Sequence, residues 1–299
     1  MAGKSMRQGL REITAEELVH IQQVAESFPN LSRQVLAETL CEHLQWYSPS
    51  GALKRKNCLM LLERLDQQGL IVLPPKRPAG RKNPDKPPTL TERTREQAPL
   101  RGRLRELAPV TLAPVTDKAE ITLWNEYVHR YHPLGYRRPF GNWLRYFARA
   151  NDRLLGCLLI SGAAKALHHR DQWIGWSVAQ RRRNLSWVIN NSRYCLLPWV
   201  HVEHLASHLL GQLARRVAGD WEQQWGYRPV LMETFVDPHY DGTCYRAAGW
   251  EALGMTRGEG LPRKGKTYTT TPKHLFIKPL HPRCRELLTS EQLHGRILE

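Results

Sequence analysis

Residues 192–236 read SRYCLLPWVHVEHLASHLLGQLARRVAGDWEQQWGYRPVLMETFV, and this stretch decides the fold. Its two ends, SRYCLLPWV and RPVLMETFV, are short apolar runs bounded by polar or turn residues, which favours buried strands. Between them, HLASHLLGQLARRVAGDWEQQWG has an apolar residue at every fourth position, which predicts one long amphipathic helix. The positions concerned are Leu205, Leu209, Leu213, Val217 and Trp221. A buried strand, a long helix and a second buried strand in succession are typical of a mixed α/β domain.

Further elements of the same domain lie on both sides of this stretch. Upstream, LWNEYVHRYHPLG predicts a helix that ends before Pro133, NWLRYFARANDRLLGCLLISGAA predicts a hairpin that turns at ANDR, and SVAQRRRNLSWVINN predicts a basic helix. Downstream, TCYRAAGW predicts a short helix and KHLFIKPL a last strand. We therefore expect an α/β domain over residues 99–299.

Residues 1–73 predict a separate, helical domain. Thr14 and Glu17 have the spacing of a capping box at the start of TAEELVHIQQVAESF, and two further helical stretches follow, SRQVLAETLCEHLQW and ALKRKNCLMLLERLDQQ. The next residues, LIVLPP, predict a short strand. Three helices and a strand indicate a helix-turn-helix domain of winged-helix-like type that binds DNA. The alternative is a small structural domain with a solvated basic turn.

Residues 74–98, PPKRPAGRKNPDKPPTLTERTREQA, separate the two domains. The segment is rich in proline and basic residues and almost without apolar residues. It therefore predicts a linker that stays flexible or lies along a nucleic-acid backbone.

The whole chain is strongly basic, with 44 Lys and Arg against 28 Asp and Glu and a net charge of +16. Such an excess favours a polyanionic partner, because each phosphate that is neutralised releases counterions. We expect DNA, single- or double-stranded, to be that partner, with solubility or attraction to acidic lipids as the alternatives. The predicted phosphate contacts lie at helix starts, in the linker and in the QRRRN stretch: Arg33, Lys54, Arg55, Lys56, Lys76, Arg77, Arg81, Lys82, Arg181, Arg182 and Arg183.

Six cysteines are scattered without a C-x-x-C pair, which indicates reduced thiols rather than disulfides or a zinc site. No apolar run is long enough for a transmembrane helix, and the first residues lack the apolar core of a signal peptide. These features predict a cytoplasmic protein that does not enter a membrane.

The order of elements from residue 193 to residue 280 resembles the second half of the GNAT acyltransferase fold. In that fold, the turn after the first of these strands holds the coenzyme A pyrophosphate on backbone N–H groups. This chain has HVEHLAS there, without glycine and with Glu203, so coenzyme A is not expected to bind. YRAAGW is similar to the late Y-x-x-x-G-F element of the same fold, whose tyrosine often acts as a general acid and is here Tyr245.

A second resemblance rests on the blocks YHPLGY, HRDQWIGW, NNSRYCLLPWV, LASHLL, ETFVD and GTCYRAAGW. They resemble the signature blocks of the Druantia anti-phage protein DruA family, and the similarity extends over roughly residues 14–280. Members of that family also occur beside transposase genes. The resemblance implies a role in prokaryotic defence or in mobile DNA, together with other proteins of the same system.

The stretch ETFVDPHYDGTCYRAAGW, residues 233–250, holds the candidate site. Its carboxylates Glu233, Asp237 and Asp241 could bind Mg²⁺ or Mn²⁺ and activate water for phosphodiester cleavage, or could act as bases. The alternative is that Glu233 forms a buried salt bridge, for instance with Arg193 or Arg170. The two aspartates would then organise the turn.

Other candidates surround these carboxylates. Tyr245 could act as an acid or as a nucleophile on a phosphodiester, or could simply pack, and Cys244 stands at a helix start, where the pKa of a thiol can be lowered. Arg170 and Arg193 would stabilise developing negative charge. The loop TRGEGLPRKGKTYTT has three glycines and four basic residues without Walker spacing, and it suits a polyanionic ligand.

The sequence thus predicts a two-domain DNA-binding protein that cleaves or rejoins DNA strands, as a nuclease or a transposase-like strand transferase. Two alternatives stay open. An acyl- or aminoacyltransferase would use the same tyrosine on an amine, and a non-catalytic adaptor would use only the basic surface. The sequence does not determine the oligomeric state.

Overall fold

The computed structural model describes residues 6–9, 11–27, 33–74, 87–107, 109–139, 142–258 and 271–291. These residues fall into two compact units, one of the residues up to 74 together with Glu291 and one of the residues from 87 to 290. In the part of the chain that the structure describes, no helix combines the length and the apolar character needed to cross a bilayer.

The N-terminal unit consists of a short hairpin and three helices. Strands β1 (Met6–Gln8) and β2 (Arg11–Ile13) pair antiparallel, and helices α1 (Ala15–Ser27), α2 (Arg33–His43) and α3 (Arg55–Gln67) follow. The predicted capping box is present, because the N–H of Thr14 donates to Glu17 Oε2 at 3.0 Å and the N–H of Glu17 donates to Thr14 Oγ1 at 3.1 Å. The core is made of buried apolar residues that include Ile21, Leu36, Leu40, Leu61, Leu62 and Leu65. The three predicted helices are confirmed.

The strand predicted from LIVLPP is wrong for its described residues, 70–74, which form neither strand nor helix. Ile71 and Leu73 are nevertheless buried in the core of the unit. The N–H of Leu73 donates to Asp66 Oδ1 at 2.9 Å, so a side chain satisfies a backbone group that a strand partner would otherwise satisfy. The helix-turn-helix assignment of this unit stays a prediction.

The second unit is built on a mixed sheet of seven strands within the described residues. Its strands are β4 (Val110–Pro114), β5 (Trp143–Ala150), β6 (Arg153–Gly162), β7 (Val188–Leu196), β9 (Leu231–Val236), β10 (Glu251–Met255) and β11 (His274–Pro279). The spatial order is β10-β11-β9-β7-β6-β5-β4, and every neighbouring pair is antiparallel except β7 and β9. Strands β3 (Leu100–Arg103) and β8 (Val200–Glu203) form a separate parallel pair.

The helices of this unit connect the strands. They are α4 (Lys118–Tyr131), α5 (His168–Ile174), α6 (Val178–Asn184), α7 (Leu205–Trp225), α8 (Thr243–Ala247) and α9 (Cys284–Thr289). From β7 onward the chain runs through α7, β9, α8 and β10, and β11 closes the series. The mixed α/β sheet predicted from the GNAT resemblance is therefore present, together with the predicted ANDR hairpin of β5 and β6.

Helix α7 packs through the apolar face that its sequence predicts. The four aliphatic residues of the repeat have no exposed surface and the tryptophan is 1% exposed: Leu205, Leu209, Leu213, Val217 and Trp221. Burial of each such side chain contributes about 1.5–3 kcal/mol. A hydrogen bond also joins the helix to the sheet, because the hydroxyl of Tyr146 on β5 donates to Asp220 Oδ2 at 2.9 Å.

Strands β7 and β9 separate from one another part of the way along their length. Their parallel ladder joins residues 188–191 to residues 231–234, after which β7 continues beside β6 and β9 continues beside β11. Opposite β6, Asn191 pairs with Ile160 and Arg193 with Leu159, so Ser192 is an extra residue in β7. Such a bulge bends a strand and helps to open a cleft between the two strands.

The start of β7 differs from the prediction. We expected SVAQRRRNLSWVINN to be helical throughout, but α6 ends at Asn184 and β7 begins at Val188. Val188 and Ile189 are β-branched and pair with Leu231 and Met232 of β9. The consequence is that Asn190 and Asn191 belong to the strand that borders the cleft.

The second half of the predicted linker is ordered. Glu92–Thr94 form a 3-10 turn, and the buried hydroxyl of Thr94 donates to Glu126 Oε1 of α4 at 2.6 Å. Tyr131 donates its hydroxyl to the carbonyl oxygen of Thr94, also at 2.6 Å. Hydrogen bonds to α4 therefore order this segment, whereas its low content of apolar residues predicted flexibility. The first half, residues 75–86 with Lys76, Arg77, Arg81 and Lys82, lies outside the described residues.

Candidate functional site

Two adjoining cavities lie where β7 and β9 separate. The first, which we call the basic cavity, has a volume of about 570 Å³, and the second, which we call the tyrosine cavity, has about 810 Å³. Six residues line both: Leu134, Asn191, Ser192, Arg193, Phe235 and Lys273. The two cavities therefore adjoin and share these residues as a common wall; together we call them the cleft.

The lining of the basic cavity is rich in basic residues. Its basic residues are Lys165, His168, His169, Arg193, Arg257 and Lys273. None of the described residues that line it is an aspartate or a glutamate. Such a cavity attracts anions, because like-signed charges within low-dielectric walls add their potentials.

Arg193 is fixed in the shared wall by two backbone oxygens. Its Nε donates to the carbonyl oxygen of Gly135 at 3.2 Å and its Nη1 to that of Ser192 at 2.6 Å. Nearby, burial together with the charges of Arg193 and Lys273 lowers the pKa of His132 to about 4. His132 is therefore neutral at neutral pH and adds no charge to the cleft.

Tyr245 reaches the tyrosine cavity from α8 and is held by the strands. Its hydroxyl donates to Asn191 Oδ1 at 2.9 Å and accepts a 3.5 Å contact from the hydroxyl of Thr234. The ring stacks on Phe276 at 5.7 Å between centroids and meets Trp250 edge-on at 5.1 Å. Burial raises the pKa of Tyr245, so the phenol stays protonated at neutral pH. A protonated, hydrogen-bonded phenol suits a proton donor better than a nucleophile.

Cys244 lines the same cavity, but its thiol is not activated. We expected a lowered pKa from its place at a helix start. Burial instead raises the pKa of Cys244, against the opposing effect of backbone N–H groups. Helix α8 has only five residues, so its dipole does not overcome the desolvation.

Glu233 lines neither cavity, because its carboxylate forms a buried salt bridge with Arg170. Neither Glu233 nor Arg170 has an exposed side chain, and Arg170 Nη1 donates to Glu233 Oε2 at 2.7 Å. The second carboxylate oxygen accepts the N–H of Ala164 at 2.7 Å, and Arg170 Nη1 also donates to the carbonyl oxygen of Ala164 at 2.7 Å. Burial raises the pKa of Glu233, and the attraction of Arg170 opposes that rise. The pair positions Ala164, which lines the basic cavity.

The buried pair continues into a chain of charges across α5 and α6. Arg170 donates from Nε and Nη2 to Asp171 Oδ1 at 3.0 and 2.8 Å, and Arg181 Nη1 donates to Asp171 Oδ2 at 2.7 Å. The ring of Trp176 lies 5.5 Å from the Arg170 guanidinium. Arg170 and Arg181 thus have partners within the unit. The predicted phosphate contact of Arg181 stays a prediction.

The predicted metal ligands are not brought together. Among the described residues, no group of three His, Cys, Asp or Glu side chains is placed to hold a metal ion. Asp237 Oδ1 accepts the N–H of His239 at 3.1 Å and faces His239 Nδ1 at 2.6 Å, and these hydrogen bonds lower the pKa of Asp237. Asp241 is exposed in the same turn. Both aspartates line the tyrosine cavity, whereas Glu233 is buried and lines neither cavity.

The remaining predicted phosphate contacts lie on other elements. In the N-terminal unit, Arg33 donates to the carbonyl oxygen of Pro74, and Arg55 forms an exposed salt bridge with Glu38 at 3.0 Å. Burial lowers the pKa of Lys54, whereas Lys56 is exposed. Arg183 is exposed on α6, and the side chain of Arg182 lies outside the described set. Their roles in DNA binding stay predictions.

The sequence alone did not single out several cleft residues. Lys165, Thr234 and Lys273 come from separate segments that only the sheet brings together. A weak signal existed for Arg257, which begins the basic loop TRGEGLPRKGKTYTT, although residues 259–270 of that loop lie outside the described residues.

The fold and the cleft define a mixed-sheet α/β protein with a basic cavity between two diverging strands. Comparison with family models gives a match to "Druantia protein DruA" over residues 65–284, which is more than half of the chain. The chain therefore belongs to the DruA family. The sequence resemblance to that family is confirmed over these residues. No curated protein matches the sequence.

Solved structures of acetyltransferases resemble the chain at low similarity. The aminoglycoside acetyltransferase AAC(6')-Ib with coenzyme A and kanamycin is 17% identical, with 59% of this chain and 97% of that chain covered and a TM-score of 0.34. Arabidopsis thaliana NAA60 with acetyl-CoA is 10% identical, covers 57% and 98%, and has a TM-score of 0.40. The Escherichia coli ribosomal-protein-S18-alanine N-acetyltransferase is 9% identical, covers 57% and 94%, and has a TM-score of 0.34. At this level, the ligands of these enzymes do not transfer to this chain.

Proposed function

We propose that the chain binds a DNA strand by its phosphates in the basic cavity, as the DNA-binding component of a prokaryotic defence system of Druantia type. Membership in the DruA family supports the defence role. The observation that carries the binding role is the basic cavity itself, with Lys165, Arg193, Arg257 and Lys273 and no acidic residue in its described lining.

The site favours binding over metal-dependent cleavage. Glu233, the carboxylate nearest the sheet centre, is neutralised by Arg170 at 2.7 Å and supports the wall of the cavity. Arg193 is fixed on backbone oxygens with its charge in the shared wall. A cavity with preset cations binds a phosphate with little reorganisation. Strand cleavage or transfer would need a nucleophile beyond these groups.

The test is the affinity for labelled single- and double-stranded DNA as a function of salt, measured by fluorescence anisotropy. The triple variant Lys165→Ala, Arg257→Ala, Lys273→Ala is expected to raise the Kd at low salt at least about tenfold. The dependence of log K on log salt should become shallower by about 2, since each lost phosphate contact contributes about 0.7–0.9.

The matched control is Arg101→Ala, Arg105→Ala, Lys118→Ala. These residues are exposed, and neither cavity includes them in its described lining. The control removes the same charge, so its Kd should change much less than that of the cavity variant. Equal losses in the two variants would show that net charge, rather than the basic cavity, governs binding.

A second candidate function, acyl transfer, is favoured by one observation. The protonated hydroxyl of Tyr245 lines the tyrosine cavity, beside the point where β7 and β9 separate. In this place the phenol could protonate the leaving thiolate when a neutral amine attacks the acyl carbonyl carbon and the C–S bond breaks, and the proton that the new amide nitrogen loses would restore the phenol. At Glu203 the chain departs from the usual pyrophosphate turn, so the acyl donor could differ from acyl-coenzyme A.

Acyl transfer predicts that a saturating acyl donor stabilises the protein. With acetyl-coenzyme A at about 100 times its Kd, the gain would be about 2.7 kcal/mol, seen as a rise in Tm. Transfer to an amine would fall in Tyr245→Phe while donor binding persisted. An unchanged Tm over a titration of acetyl-coenzyme A would remove this donor from consideration.

A further inference from the structure

The tyrosine cavity is lined by carboxylates and an exposed aromatic ring, which phosphate binding does not require. It adjoins the basic cavity across the wall that contains Arg193, Phe235 and Lys273, and its volume is about 810 Å³. That volume lies in the range of cavities that enclose small ligands, about 300–1,000 Å³. The tyrosine cavity is thus large enough for a nucleotide base and lies next to the cavity that is proposed to hold the phosphates.

The charges of the two cavities determine which part of a bound nucleotide faces which cavity. Asp237 and Asp241 line the tyrosine cavity, whereas the described lining of the basic cavity has no carboxylate. Carboxylates repel phosphate, so the phosphates face the basic cavity and the neutral base faces the aspartates. The two hydrogen bonds of Asp237 with His239 both involve Oδ1, one of its two carboxylate oxygens.

An aromatic surface is also available beside these carboxylates. Tyr240 lies in the lining of the tyrosine cavity, and its side chain is 65% exposed. An exposed ring of this kind can stack on an unpaired base, because every base has a π-face. Phe235, in the wall that both cavities share, adds apolar surface.

We propose that the tyrosine cavity receives an unpaired base of the bound strand and prefers a base that carries an amino group. The proposal rests on the proposed function, since it assumes that the phosphates occupy the basic cavity. A carboxylate accepts a hydrogen bond from the N4 amine of cytosine. Thymine presents a carbonyl oxygen at the equivalent place, which a carboxylate repels.

The experiment compares short labelled oligo-dC and oligo-dT of equal length, with Kd values measured by anisotropy at one fixed salt concentration. The wild-type chain is expected to bind oligo-dC about fivefold or more tightly, the lower end of what a specific base contact provides. The variant Asp237→Asn, Asp241→Asn should reduce this ratio to less than about twofold, because an amide can also donate to the thymine oxygen.

The control variant Asp152→Asn, Glu96→Gln also removes two exposed negative charges, from positions that line neither cavity. It should keep the oligo-dC preference, which separates the base contact from a general charge effect. Equal affinity of the wild type for both oligomers, or a preference that survives in the cavity variant, would overturn the base proposal and leave strand binding intact. Failure of both oligomers to bind would overturn the proposed function as well.

Discussion

Glu233→Ala is expected to lower the free energy of unfolding by about 3–5 kcal/mol, because it leaves the charge of Arg170 buried without its main counter-ion. Both side chains are 0% exposed, so water cannot replace the lost carboxylate without a rearrangement of the core. For a unit of this size, the loss corresponds to a fall in Tm of about 10 °C. Thermal unfolding followed by circular dichroism measures it.

Two further variants test whether the loss of stability comes from the unpaired charge of Arg170. Glu96→Ala removes an exposed carboxylate and should change stability by less than about 0.5 kcal/mol. The double variant Glu233→Met, Arg170→Met should recover much of the loss, since an apolar pair of similar volume often matches a buried ion pair. An unchanged Tm in Glu233→Ala would show that another group balances Arg170.

Gly242→Ala should be the second large effect, with a loss of about 2–5 kcal/mol. Gly242 precedes α8 with φ +68°, and a Cβ atom built there would lie 2.4 Å from the ring of Phe276. The left-handed backbone costs a non-glycine residue about 1–2 kcal/mol, and overpacking adds about 1–3 kcal/mol. Phe276 stacks on Tyr245, so the clash is transmitted to the tyrosine cavity.

Gly175→Ala separates the two costs. Gly175 also has a positive φ, +82°, but an added Cβ would meet no atom within 4 Å. This variant should therefore lose only the backbone term, and its DNA affinity should stay near that of the wild type. If both variants lost the same stability in thermal unfolding, the contact with Phe276 would not be the cause.

The elements with strong periodicity could be predicted from the sequence. Leu205, Leu209 and Leu213 repeat so regularly that α7 was expected within a residue or so of its observed ends. The strand RPVLMETFV and the hairpin at ANDR were equally clear, because apolar runs bounded by turn residues leave few other structures. Local patterns of this kind need no knowledge of the rest of the chain.

The candidate site depended on pairing between distant segments, and there the sequence was less informative. It suggested Arg170 as one possible partner of Glu233, but it could not tell a buried pair from a metal ligand. Which of these two roles Glu233 takes depends on how completely its carboxylate is removed from water. That is determined only when the sheet and its helices are packed. Likewise, Lys165 and Lys273 are about a hundred residues apart in the chain, and no local pattern marks them as neighbours.

The parallel pairing of β7 and β9 has a consequence for the order of folding. Strands β5 and β6 are antiparallel neighbours joined by a short turn, so their pairing closes only short loops. The ladder of β7 and β9 forms only after the whole of α7 has crossed between them, which is a contact between residues far apart in sequence. The cleft is therefore completed in a later step than the β5–β6 hairpin. A ligand that contacts both of its walls would bind only chains that have finished that step.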